Sequence, residues 1–293
     1  MNTKHNSSNL SRRTFLKTTA ASLAAVCAAG SGCEGPLKRG VSKTRIPLGL
    51  QLYSIRKDCE KDLPATIGAV AKMGYEGVEF AGYYGYSSKD LRKLLDDNGL
   101  KCCGTHTALD TLLGDNLPKT IEFNQAIGNK YLIVPWLDPK KYNSVEGWRK
   151  AADLFNELAE KVEPHKMQVG YHNHSHEFKP IDGELPWDIF FGNTRKDVIM
   201  QFDTGNAMQG GGDAIPFLKR YPGRAVTVHL KEYSATNKNA IIGEGDIDWQ
   251  ELLTLCETIG GTKWYIIEEE KDVYPPLKAA ELCLQNFRKL RPV

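Results

Sequence analysis

The sequence contains no Cys-x-x-Cys spacing, which argues against a zinc knuckle or a thioredoxin-like dithiol. Its first apolar β-rich run leads into Gly49-Leu50-Gln51-Leu52-Tyr53-Ser54, with no Gly-rich phosphate turn. That absence disfavours an open dinucleotide-binding sheet. No uncharged apolar stretch reaches the roughly 20 residues that a membrane-spanning helix needs. A basic surplus is missing too: the formal net charge is +2, but Lys4, Arg12, Arg13 and Lys17, with no acid, fall in residues 1–33, leaving the remainder near −2. A nucleic-acid partner is therefore not expected. Cysteine is sparse, and Cys59, Cys102, Cys103, Cys256 and Cys283 form an odd set beyond residue 33 that cannot all pair within one chain. Cys102 and Cys103 are adjacent in a strand-like run, where they read as small buried hydrophobes on opposite faces.

The N-terminus reads as an address. Ser11-Arg12-Arg13-Thr14-Phe15-Leu16-Lys17, followed by uncharged small and apolar residues from Thr18 to Gly30, has the n-region and h-region of an export signal with twin arginines. We expect residues 1–33 to be a twin-arginine signal, residues 34–45 a linker, and residues 46–293 a periplasmic domain. Gly30-Ser31-Gly32-Cys33 is similar to a lipoprotein cleavage box, which would make Cys33 a lipid anchor to the membrane; cleavage near Ala28-Ala29-Gly30 is the alternative.

From Ile46 onward, eight β-rich runs alternate with eight stretches of helical period. The runs begin at Ile46, Gly77, Lys101, Tyr131, Met167, Val198, Ala225 and Trp264. Strands alternating with helices imply a parallel sheet, because each return to a parallel neighbour needs a crossover. Eight units in this length predict an α/β fold, a closed (β/α)8 TIM barrel. Asp248 with Glu251 three residues on marks a helix start, and Gly260-Gly261 marks its stop.

Side chains suited to metal binding close four of the runs: His172, Asp203, His229 and Glu268. Two-residue alternation turns Gln168, Gly170, His172 and His174 inward, with Gln201, Asp203, Thr227, His229, Lys231, Ile266 and Glu268 from the next three strands. Two imidazoles and two carboxylates at one end of adjacent strands suit a single divalent ion, with Mn, Zn or Co foremost and no thiolate offered. Gln201 and Thr227 stand where hydrogen bonds could orient those ligands. Gly210-Gly211-Gly212-Asp213 could receive an anion at a helix start, although a plain cap by Asp213 is the simpler reading.

Gly77-Val78-Glu79, Gly104-Thr105-His106, His172-Asn173-His174, Asp203-Thr204-Gly205-Asn206, His229-Leu230-Lys231, Gly243-Glu244-Gly245-Asp246-Ile247-Asp248-Trp249 and Trp264-Tyr265-Ile266-Ile267-Glu268 occur in this order. From Ile46 to Val293 the chain thereby resembles the sugar phosphate isomerase/epimerase family of xylose isomerase-like TIM barrels. The resemblance implies a metal-dependent isomerase or epimerase acting on a small carbohydrate by proton abstraction beside a metal-bound carbonyl. Asp203, His229 and Glu268 match the family's metal ligands, while His172 stands where its first glutamate would be. That imidazole changes the acid/base pair that symmetric epimerisation uses, and it raises the alternative of a lyase or hydratase on keto-sugars or keto-glycosides.

In this reading Glu268, His172 and Lys231 are the catalytic candidates, while Glu79, His106, His174 and Trp136 are candidates for binding sugar, Trp136 with Tyr53 as an apolar wall. Lys231 would hold a sugar oxygen or pair with Asp203 or Glu232. A second proton-transfer group is sought among His106, His174, Glu79, Glu177 and Lys231, with His176 and Glu177 otherwise plain loop polarity. A non-catalytic sugar-binding lipoprotein is the reading from another class, and no oligomeric state is implied.

Overall fold

The computed structural model describes Met1 and residues 45–291. The export segment expected in residues 1–33, with Cys33, and the linker up to Thr44 lie outside the described residues, Met1 apart. Strands β1 (Leu48–Gln51), β2 (Gly77–Phe80), β3 (Lys101–His106), β4 (Tyr131–Val134), β5 (Gln168–His172), β6 (Ile199–Asp203), β7 (Thr227–Leu230) and β8 (Trp264–Ile267) pair in sequence order, all parallel. Strand β8 returns to β1, with Gly49 opposite Ile266, so the barrel is closed. This is the (β/α)8 architecture the alternation predicts.

Helices α1 (Arg56–Lys61), α2 (Leu63–Met73), α3 (Ser88–Asp97), α4 (Asn116–Ala126), α5 (Val145–Val162), α6 (Pro186–Asn193), α7 (Thr204–Gly210), α8 (Ala214–Arg220), α9 (Trp249–Leu255) and α10 (Pro276–Leu290) fill the crossovers. The short helices α1 and α7 carry too few residues for a periodic apolar stripe, and sequence pattern missed both. Helix α9 does not run on as regular α-helix; its last turn widens to a π-helix over Cys256–Gly260. Asp248 accepts a hydrogen bond from the Glu251 amide at 3.0 Å, as its spacing implies. Asp213 accepts from Ile215 N at 3.0 Å, so the glycine run before it ends in a plain cap. Among the described residues all five cysteines are unpaired, and no helix is long and apolar enough to cross a membrane.

Alternation along the strands separates two cores. Outward residues such as Tyr171, Phe202, Val228 and Tyr265 are fully buried against the helices. Between strands and helices α5 and α6 the packing is largely aromatic: the Phe155 and Phe190 rings lie 4.8 Å apart, and Tyr171 lies 5.2 Å from Phe190. Inside the barrel, Cys103, Trp264 and Ile266 form the floor, with Tyr131 packed against them. Gly170 is on the inward face of β5 because nothing larger fits: a Cβ there would come within 2.6 Å of Ile199 Cβ and 2.7 Å of its carbonyl oxygen. Overpacking of this kind costs about 1–3 kcal/mol. Gly170→Ala is therefore expected to lower the free energy of unfolding in urea by that amount, with no change in strand content by circular dichroism.

Candidate metal centre

Above the floor, the C-terminal ends of β5 to β8 bring His172, Asp203, His229 and Glu268 together. One ligand atom from each lies within 4.8 Å of the others, and all four residues are buried. His172 closes β5 and Asp203 closes β6, while Glu268 follows β8, so one face of four neighbouring strands supplies the set. Each is held by its local chemistry. Asp203 caps α7, its Oδ1 accepting from Asn206 N at 2.6 Å. Asn173 clamps the same point: its Oδ1 accepts from Asp203 N at 2.8 Å and its Nδ2 donates to Asp203 O at 3.0 Å. With the backbone pinned and Oδ1 used as a cap, Asp203 Oδ2 is left buried without a partner, and so is His172 Nδ1.

His229 is the most constrained member. Its Nδ1 lies 2.6 Å from Glu268 Oε2 and 3.9 Å from Asp203 Oδ2, while its Nε2 lies 2.5 Å from Glu79 Oε2. Glu79 is held in turn by Gln51 Nε2 at 2.7 Å and Gln201 Nε2 at 2.8 Å, and Gln201 also donates to Thr227 Oγ1 at 3.0 Å. A carboxylate on the far nitrogen of an imidazole fixes its tautomer and orientation, the usual support of a metal-bound histidine. Gly104 makes room for this support, since a Cβ there would fall 2.3 Å from Glu79 Oε1.

Charge accounting fits a divalent ion. Three buried carboxylates, Glu79, Asp203 and Glu268, face one buried ammonium, Lys231. With His229 neutral, two negative charges remain uncompensated in a medium where isolated charge is costly. Without a metal, burial pulls the His229 imidazolium down, but Glu79 and Glu268 outweigh it and raise it to about 10. Burial pushes Asp203 up to about 7, against the pull of Lys231. For Glu268, burial is overcome by Lys231 and His229, which hold it well below the usual carboxylate range. His172 is driven well below its ordinary value by burial and by the neighbouring His229 and His106, leaving a neutral imidazole with a bare nitrogen to offer. Two nitrogens, two oxygens and no thiolate are a donor set compatible with a divalent ion. His106, His172 and His229 form a second close group, but His106 Nε2 is already 2.9 Å from Gln201 Oε1, so the four-residue set has the better claim.

Lys231 does not pair with Asp203 or Glu232; its Nζ binds Glu270 and lies 3.8 Å from Glu268 Oε1. Glu232 instead accepts from Trp249 Nε1 at 2.9 Å and Gly243 N at 2.7 Å. His106 sits at the mouth, its ring 4.9 Å from His172 and 5.2 Å from His229. Glu79 is fully buried beneath His229 with both oxygens engaged. His174 lies just past the end of β5, its ring 5.2 Å from His172; burial lowers it to about 4. Trp136, 48 % exposed, packs edgewise on His174 at 4.9 Å, and Tyr53 is 43 % exposed. Glu177 is not loop polarity: it is fully buried, accepting from Tyr171 Oη at 2.5 Å and from His174 N at 2.9 Å. It therefore sets the path of the loop that carries His174. Three residues past Asn173-His174, this lone acid has no sequence signal separating it from surface charge.

With this geometry in hand, the likenesses fall into place. Residues 67–290 match the xylose isomerase-like TIM barrel family, and the chain belongs to it. An inosose dehydratase of Serratia proteamaculans is 26 % identical over 254 residues, spanning 73 % of this chain and 84 % of the relative. Two solved structures of sugar phosphate isomerase/epimerases from Parabacteroides distasonis superpose with TM-scores of 0.72 and 0.70, at 24 % and 26 % identity. They cover 85 % and 86 % of this chain, and 99 % and 96 % of their own.

Elemental analysis of protein purified without chelators is expected to show one divalent ion per chain, lost in Asp203→Ala and His172→Ala and kept in His174→Ala. Glu79→Gln should retain the site but weaken metal affinity about 10- to 100-fold, the usual cost of losing an outer partner of a ligand. Glu177 gives a separate test. Burial raises its carboxyl from 4.5 to about 7, so the folded state holds a proton that the unfolded chain releases, and stability present below pH 4.5 is lost as pH rises towards 7. Linkage puts that loss at about 3 kcal/mol. Urea midpoints measured at pH 5 and pH 8 should differ less in Glu177→Gln than in the wild type.

Proposed function

We propose that this chain removes a proton from the carbon beside a carbonyl of a carbohydrate and completes a β-elimination. The observation that carries the reading is the His172, Asp203, His229 and Glu268 set with an imidazole in its first position and one carboxylate beside Lys231. These four residues would hold a divalent ion, which when bound would supply Lewis-acid polarisation of the carbonyl. Glu268, kept anionic by Lys231 and His229, is the base. Lys231, held protonated by Glu268, Asp203 and Glu270, donates to the substrate oxygen on which charge builds. His174, neutral and with Nδ1 free, orients a hydroxyl at the rim.

Epimerisation requires a base on each face of the carbon that inverts. A syn elimination needs one: Glu268 takes the proton, the C–O bond at the next carbon breaks as the C=C bond forms, and the same proton leaves on the departing oxygen. With His172 where the family has its first glutamate, Glu268 lacks the opposing carboxylate that symmetric epimerisation uses. The inosose dehydratases among the relatives carry out, by name, a dehydration. The second reading, isomerisation or epimerisation, is supported by the names of the Parabacteroides structures and would need His174 or His106 as the partner of Glu268. An export route that moves folded proteins suits either reading, since the domain could take its ion before leaving the cytoplasm.

Incubation of the metal-loaded protein with inososes and 3-keto-glucosides in deuterated water, followed by NMR, separates the outcomes. Elimination gives an unsaturated ketone and loss of the leaving group, whereas epimerisation gives deuterium at an inverted carbon. Glu268→Gln is expected to lower kcat by at least about 100-fold, the scale of a general base. Absence of both exchange and elimination across the panel sinks the reading.

A further inference from the structure

Next to the metal centre, over the ends of β1 to β4, lies a cavity of about 550 Å³. His106 belongs to both: its ring faces His172 and His229, and it also lines the cavity. A ligand whose reacting carbon sits at the metal centre thus has open space on one side. Pockets of about 300–1,000 Å³ take drug-sized ligands, so this volume is more than the remainder of one small sugar would fill.

The lining says what fills it. Tyr53, Tyr83, Phe123 and Pro135 supply its apolar walls, and the Tyr83 and Phe123 rings are 4.1 Å apart at 33°. Apart from the Lys119 ammonium and the Tyr53 hydroxyl, the polar side chains of the wall are occupied within the fold. Thr111 Oγ1 donates to Ala108 O at 2.7 Å, and Thr120 Oγ1 donates to Thr111 O at 2.6 Å. Asn124 donates to Tyr83 Oη at 3.1 Å and Thr120 O at 2.9 Å while its Oδ1 accepts from Thr105 and Asn129. Thr107 Oγ1 is shared with Thr105 Oγ1 at 2.9 Å. A second sugar ring needs many hydrogen bonds to replace its water, and a wall whose free polar groups are the Lys119 ammonium and the Tyr53 hydroxyl offers few. A flat apolar ring needs only the aromatic surface, in offset or edge contact.

We propose that this cavity is a subsite for an aromatic substituent carried by the substrate, so that the chain acts on aryl glycosides rather than on free sugars. The proposal rests on the proposed function only in placing the reacting sugar at the metal centre. Phenyl and methyl β-D-glucopyranoside differ in the group that would enter the cavity, and their affinities are measurable by calorimetry on the metal-loaded full chain without turnover. The phenyl glycoside is expected to bind at least about fivefold more tightly. Ala108→Trp, at an exposed point of the cavity wall, should bring phenyl binding down to the methyl level, and Phe123→Leu should move it the same way if the first variant does not fold. Equal affinities, no binding of either probe, or a phenyl preference that survives both substitutions overturns the subsite. A phenyl preference in protein that shows neither proton exchange nor elimination leaves the subsite standing and removes the reaction.

Discussion

The structure turns on one imidazole held between two buried carboxylates. His229 is fully buried, with Glu79 on one nitrogen and Glu268 on the other. Removing either partner would leave a buried charge unpaired, the costliest kind of loss in a protein interior. Beneath it, Gln51 and Gln201 donate to Glu79, and Thr227 accepts from Gln201. The barrel interior is thus a hydrogen-bonded column on an apolar floor, and its top is aimed at the place where a cation would balance the charge. Such a network is stabilising only when every member is satisfied.

Binding and folding chemistry share the same atoms. Asp203 begins a helix with one oxygen and faces the site with the other, so the helix cap removes the freedom that a ligand side chain would otherwise lose on binding. Asn173 joins the ends of β5 and β6 through both of its amide atoms, which fixes the spacing of His172 and Asp203 without touching either side chain's ligand atom. Lys231 is anchored through its backbone to Thr204, and Glu270 keeps its ammonium from collapsing onto Glu268.

The barrel itself was plain in the sequence because apolar runs and helical periods alternate eight times over one domain length. The four strand-end side chains that could hold a metal were legible for a related reason: strands β5 to β8 keep strict alternation, so parity alone turned His172, Asp203, His229 and Glu268 inward. What parity could not show is who pairs with whom. The Lys231 partner is Glu270, on a loop beyond β8 where no periodicity applies. Glu177 looks like an ordinary acid in the sequence and Glu79 like a sugar-binding one, yet each is fully buried, because the groups that satisfy them come from distant strands or from a turn that folds back. Charge in a sequence carries no mark of burial.

Strand β3 departs from that alternation. Its register against β2 shifts between Val78 and Glu79, where the opposite residues step from Cys102 to Gly104. Below the shift Cys103 faces the floor; above it Thr105 faces outward to Asn124 and Asn129 in the helical layer, and His106 faces the mouth. One extra residue therefore decides which side chain the third strand presents to a ligand. Regular alternation over the same residues would turn His106 out among the helices and bring Thr105 into its place, exchanging an imidazole for a hydroxyl at the rim while the ends of β5 to β8 stayed as they are. Members of this fold with and without the irregularity would then need their third-strand residue read one position apart, and gain or loss of the irregularity is a route by which such a barrel could change what β3 presents to a ligand without touching the ends of β5 to β8.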